Sequence, residues 1–126
     1  MNSKLEQESQ ENTRFLLQVL SKNLIIVEPD QGLIFRSLKR FAKNKVYTEP
    51  NSSGYLRFRL YLNNLHKWCF CHKAIWVSVN GVVPKDLVID HKDREIYHNM
   101  ISNLRLLTRE ENARNSSNIK LDPPAF

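Results

Sequence analysis

Asp90 and His91 follow the apolar pair Val88-Ile89, so a carboxylate and an imidazole stand side by side at what reads as a strand end. Neighbours on a strand project to opposite sides. One of the two can therefore hold a metal ion while the other faces a substrate. Twelve residues after His91 comes Asn103, within Ser-Asn-Leu-Arg-Leu-Leu, and nine after that comes Asn112, within Glu-Asn-Ala-Arg-Asn. Thr108 with Glu111 three residues on forms a capping box, which opens a helix. Asn112 then lies early on that helix and can turn back toward the strand end that carries Asp90.

Residues 88–115 closely resemble the HNH endonuclease family. The likeness rests on the intervals between His91, Asn103 and Asn112, and on the words Ile-Asp-His, Asn-Leu-Arg-Leu-Leu-Thr and Glu-Asn-Ala-Arg-Asn. Gly54-Tyr55-Leu56, His72-Lys73-Ala74-Ile75-Trp76 and the Asn-Gly-Val-Val-Pro before the motif extend it over residues 46–118, in an arrangement like that of phage and intron-encoded members. The resemblance implies a ββα-metal fold and a metal-dependent DNA endonuclease that hydrolyses phosphodiester bonds, by nicking or by double-strand cleavage. It implies that Asp90 and Asn112 ligate one divalent cation, Mg²⁺ or Mn²⁺, that His91 is the general base, and that Asn103 belongs to the catalytic set as its structural member. The chemistry suits these types. A hard cation prefers oxygen ligands. An imidazole with its ordinary pKa of ~6.5 accepts a proton from water near neutral pH. Its second ring nitrogen needs an orienting acceptor, for which a backbone carbonyl is expected. Asn103 carries both a donor and an acceptor and can pin the loop between the strands. Two positions depart from the family pattern: Arg94, where Gly is common, and His98 in the pair His98-Asn99, where Asn-Asn is common. Both bear on the turn after His91. His98 reads either as a structural residue or as a phosphate or metal contact, and His66 and His72 read as structural.

Nineteen Lys and Arg against thirteen Asp and Glu give a net charge of +6, which favours an anionic partner. DNA, expected as a duplex, is that partner under the family resemblance. Arginines suit bidentate phosphate contact. Arg105 and Arg114 are the first candidates for phosphate clamps, with Arg94 and Arg109 beside them. Arg57 and Arg59 alternate with tyrosines on one strand face, which fits either nucleic acid or solvent. Arg36, Lys39, Arg40, Lys43 and Lys45 make a basic patch without an acid, readable as a DNA contact or as a solvated basic loop.

The elements that must position these groups follow from pattern. A helix is expected over residues 13–22, with a frayed acidic dozen before it. Two apolar runs around Pro29-Asp30-Gln31-Gly32 predict a hairpin. The alternation Leu56, Phe58, Leu60, Leu62 predicts a half-buried strand, turning at Asn63-Asn64 into a second one. His66 falls in that turn and His72 at the end of the second strand. The stretch 72–81 fits a helix or a buried strand equally. The fold class expected is α+β: an N-terminal helix and a small antiparallel sheet over residues 24–72, then the ββα unit. Residues 1–45 form the helix and basic arm, 46–118 the nuclease domain and 119–126 an extended tail, all in one domain.

At 126 residues, with 41% apolar and 25% charged side chains, the chain fits one globular domain and excludes collagen-like or low-complexity classes. No apolar run approaches the ~20 residues of a membrane helix, and the polar start reads as neither signal nor transit peptide. A cytoplasmic location is expected, the host cytoplasm if the chain is phage-encoded. Cys69 and Cys71 read as reduced core thiols, and no zinc is expected. A homodimer and a phage protein partner are both open. Two other functions stay open as well: a DNA-binding or packaging-associated module with weak or lost cleavage, and a nuclease for RNA or branched DNA. Backbone contacts do not distinguish these substrates.

Overall fold

The computed structural model describes residues 3–116 apart from Lys39 and Phe41. Helix α1 runs over Ser3–Ser21, strands β1 over Ile25–Glu28, β2 over Leu33–Ser37, β3 over Lys43–Lys45, β4 over Glu49–Pro50, β5 over Leu56–Leu62 and β6 over Leu65–Phe70. Helix α2 covers Cys71–Asn80, strands β7 and β8 cover Leu87–His91 and Leu104–Thr108, and helix α3 closes the series at Arg109–Ser116. The fold class is α+β, as expected.

Helix α1 starts ten residues earlier than its apolar stripe predicts. Its first half, Ser-Lys-Leu-Glu-Gln-Glu-Ser-Gln-Glu-Asn, contains neither Gly nor Pro, and Lys, Leu, Glu and Gln are good helix formers. The stripe itself does what was expected: Phe15, Leu16 and Val19 are buried. The single antiparallel sheet expected over 24–72 is instead two three-stranded sheets, β1-β2-β3 and β4-β5-β6. The break falls at residues 46–48, where the chain leaves β3 before pairing Glu49 with Arg57. Asn63 and Asn64 both adopt positive φ, 52° and 65°, as a two-residue hairpin requires. That tight turn starts β6 at Leu65, so His66 lies within the strand rather than the turn. The ambiguous stretch after it is a helix, with Ala74, Ile75 and Val77 buried.

The core is one cluster. Phe58, Leu60 and Leu62 from β5 meet Leu16 and Val19 of α1, Ile75 of α2 and Leu104 of β8. Burying each of these large side chains contributes about 1.5–3 kcal/mol. Cys69 and Cys71 belong to this cluster as free thiols, and burial pushes both thiols up to about 12, so they stay protonated. Among the described residues no helix is long and apolar enough to cross a membrane.

Candidate active site

Strand β7 pairs antiparallel with β8, setting Asp90 opposite Arg105 and His91 opposite Leu104. Helix α3 follows β8 without a gap, and its cap is the expected one. Glu111 Oε1 accepts from the Thr108 N–H at 3.0 Å, and the Glu111 N–H donates to Thr108 Oγ1 at 3.2 Å. Asp90 and His91 thus end β7, and helix α3, which carries Asn112, packs against both strands.

Asp90 and His91 are both buried, at 7% and 3% exposure. Such groups need partners. Arg105 Nε donates to Asp90 Oδ2 at 2.9 Å. Arg105 is thus first a partner of Asp90, with its side chain 41% exposed beyond that bond. His91 Nε2 donates to Oδ1 of the buried Asn99 at 2.8 Å. The expected acceptor was a backbone carbonyl; a side-chain amide takes the place. With the proton held on Nε2, Nδ1 keeps its lone pair, which is the state a general base needs. Burial lowers the His91 pKa below its ordinary value, against an opposing pull from Asn99 and Asp90, so the neutral ring is favoured. A small cleft of about 10 Å³, room for one water-sized species, is lined by Tyr55, Asp90, His91 and Arg94 among others.

The turn after His91 is held by Asn103. Its Oδ1 accepts from the Asp93 N–H at 3.1 Å, and its Nδ2 donates to Asp93 Oδ1 at 2.9 Å and to the His98 carbonyl at 2.8 Å. Asn103 therefore touches no reacting group and acts through the loop. Arg94 takes φ of 64°, the left-handed conformation that glycine adopts freely, and carries a strain of ~1–3 kcal/mol there. His98 Nδ1 lies 2.8 Å from Asp93 Oδ2 and 3.0 Å from Glu95 Oε2. Desolvation pushes the Asp93 carboxyl upward, but the hydrogen bonds from His98, Glu95 and Asn103 together hold it below the ordinary range. The ligand atoms of Asp93, Glu95 and His98 lie within 4.8 Å of one another, a second donor set beside the first.

The support extends into the N-terminal hairpin. Gly32 lies so close to the loop that a Cβ there would come within 2.8 Å of the Asn99 carbonyl carbon and the Met100 nitrogen. The Ile101 N–H donates to the Pro29 carbonyl at 2.9 Å. The β1–β2 turn thereby backs the segment that carries Asn99. Sequence reasoning missed Asn99 and Gly32 as site residues. The doublet position of Asn99 was the available signal; the approach of Gly32 left none.

His72, expected at a strand end, is the second residue of α2 and packs against the site. Its ring lies 5.3 Å from those of His91 and Phe70 and 5.5 Å from that of Tyr55. Burial, with smaller repulsions from His91 and Lys73, pushes its pKa down to about 3. The fold therefore favours neutral His72, while the unfolded chain takes up a proton below ~6.5. Stability is held above that pH and is lost as the pH falls from 6.5 toward 3. Between pH 7 and pH 5 His72 alone should cost about 2 kcal/mol. Urea unfolding at both pH values should show this loss, and His72→Phe should remove most of it.

Arg57 and Arg59 lie 4.1 Å from the centre of the Trp68 ring, on the outward face of the β5–β6 hairpin. Arg59 also contacts His66 Nδ1, and Arg36 donates to the Arg59 carbonyl at 3.1 Å while covering the Tyr61 ring. The face is thus a continuous arginine and aromatic surface leading through Phe70 to His72. The basic stretch around it does not act as one patch. Arg36 is tied to that sheet, and Lys43 pairs with Glu28 at 2.6 Å. Arg40 and Lys45 are exposed, and Lys39 lies outside the described residues. Arg109 and Arg114 are exposed on α3.

Comparisons with known proteins place a segment of the chain and its fold. A family profile described as HNH endonuclease matches residues 69–114. That stretch belongs to the HNH endonuclease family. It contains α2, both strands and most of α3, and hence Asp90, His91, Asn103 and Asn112. The fold is similar to a solved structure of the HNH homing endonuclease I-HmuI, with a TM-score of 0.59 at 22% identity over 75% of this chain and 53% of that one. The chain spans about half the length of that structure. No curated protein matches the chain.

Proposed function

We propose that the chain is a divalent-metal-dependent DNA endonuclease that acts at the end of β7. The observation that carries this reading is the His91 arrangement: a buried neutral imidazole, its Nε2 fixed by Asn99, next to a carboxylate within a segment of the HNH family. The similar structure, I-HmuI, is described as binding and cleaving DNA.

The donor set fits a hard cation. Asp90 Oδ2 is taken by Arg105, while Oδ1 has no hydrogen bond among the described residues. Asp90 and Asn112 would hold Mg²⁺ or Mn²⁺ through one carboxylate and one amide oxygen. When bound, such an ion supplies Lewis-acid stabilisation of the charge that develops on phosphate and leaving oxygens. The side chains do the rest. His91 Nδ1 accepts a proton from water, the water oxygen bonds to phosphorus, and the P–O3′ bond breaks with its electron pair on the 3′ oxygen. Solvent then protonates that oxygen, and the products are a 5′ phosphate and a 3′ hydroxyl. Arg105 keeps Asp90 in place, and Asn103 fixes the turn that follows His91. Half-buried Arg94 and exposed Arg109 and Arg114 flank the site, and Arg57 and Arg59 extend the cationic surface on which the DNA backbone rests.

An end-labelled duplex oligonucleotide tests the reaction. Cleavage in Mg²⁺ or Mn²⁺ should give 5′ phosphate and 3′ hydroxyl ends. Undiminished cleavage in EDTA, or 3′ phosphate ends, would contradict it.

A further inference from the structure

A groove of about 1100 Å³ runs between α1 on one side and β6, α2 and the start of β7 on the other. It is larger than the ~300–1,000 Å³ of a small-ligand cleft. Its wall includes Ile89, the residue before Asp90, and His72, which packs on His91. The groove therefore borders the candidate active site.

Its charge is one-sided. Arg14, Arg57, Lys73, Lys85 and Arg109 line it, against Glu8 as the one acidic side chain among the described lining residues. Arg14, Lys73 and Arg109 have no carboxylate partner among the described residues. Arg57 pairs with Glu49 through Nη2 at 3.3 Å, while its buried Nε has no hydrogen-bond acceptor among the described residues. Three cations gathered in one groove without a counter-charge among the described residues, Arg14, Lys73 and Arg109, suit an anion. Between them lie apolar surfaces: Trp68, Phe70, Leu17 and Val82, the last 60% exposed. A duplex presents phosphates outward and keeps its base faces stacked inside, so it leaves such apolar surface unused. A single strand offers both phosphates and base faces. Cationic grooves with aromatic side chains are the usual tracks for single-stranded nucleic acid.

We infer that this groove holds a single nucleic-acid strand running on from the cleavage site, so that the preferred substrate has a single-stranded segment beside the scissile bond, as in a flap, a branch or a locally melted duplex. The inference rests on the nuclease reading for its placement. The test measures binding in EDTA, so failed cleavage and failed groove binding are distinguishable.

The probes are a fluorescein-labelled single-stranded DNA 12-mer and a blunt duplex, followed by anisotropy with the full chain. The Arg14→Gln, Lys73→Gln double variant should weaken the single strand about tenfold and the duplex less than about twofold. The slope of log affinity against log salt for the strand should fall by about 1.4, since each phosphate contact contributes roughly 0.7. Val82→Trp, which fills the groove from an exposed position, should weaken the strand in the same selective way without changing those charges. Equal losses for both probes would overturn the inference and assign the cations to the duplex footprint. Absence of strand binding by the wild type would overturn it as well. So would an acidic 12-residue peptide that displaces the strand at equal concentration, which would mark the groove as a polypeptide site.

Discussion

His91→Ala should lower the DNA cleavage rate by about 10²–10⁴, the usual contribution of a positioned general base. Binding of the same DNA in EDTA should change by less than a factor of two, because His91 is buried and its work is proton transfer rather than attachment. The geometry explains why the loss is large. Only the Nε2–H tautomer offers Nδ1 as a base, and Asn99 holds that tautomer at 2.8 Å. Tyr55 and His72 restrict the ring from the other sides at 6.0 and 5.3 Å. No other described imidazole takes this position: His72 is held neutral within the aromatic cluster, and His98 is engaged by Asp93 and Glu95. Rate measurements on the variant, with thermal unfolding as a control for folding, check the expectation. An unchanged rate would remove His91 from the chemistry.

Gly32→Ala should be the most damaging single change outside the family segment. Two costs combine. The backbone sits at φ of 68°, where an alanine is strained, and the added Cβ would meet backbone atoms of Asn99 and Met100 at 2.8 Å. Backbone atoms cannot swing aside as a side-chain tip does. Strain of ~1–3 kcal/mol and overpacking of ~1–3 kcal/mol give an expected destabilisation of about 2–6 kcal/mol. The relief available to the folded chain is to push the 99–100 segment away, which draws Asn99 from His91. Cleavage by the folded fraction should therefore fall about 10-fold or more, as when the outer support of a site is lost. Urea unfolding and single-turnover rates test the two parts separately. Lost stability with full activity in the folded fraction would show that the hairpin braces the fold but not the base.

Much of this was legible in the sequence, and the limits have physical causes. The β5 alternation placed Phe58, Leu60 and Leu62 inward because period-two patterning has one solution when one face is buried. The capping box at Thr108 and Glu111 fixed the start of α3 from local chemistry alone. The intervals between His91, Asn103 and Asn112 identified the family segment. The start of α1 was placed too late because its first half lacks an apolar stripe, and helix propensity rather than periodicity carries it. The division into two sheets depends on which strands pair across distance, which no local pattern states. Asn99 and Gly32 were missed for the same reason. An amide bonded to an imidazole eight residues away, and a glycine packed against a loop sixty-seven positions on, exist only once the chain is folded.

Supercoiled plasmid is the most direct test of metal-supported cleavage at Asp90 and His91. Incubated with the full chain, it should convert to open circles in Mg²⁺ or Mn²⁺ and stay supercoiled in EDTA, and Asp90→Asn should reduce the conversion in either metal by at least about 10²-fold. Plasmid that is bound by the wild type yet remains intact in both metals would contradict the nuclease reading and leave a DNA-binding module in its place.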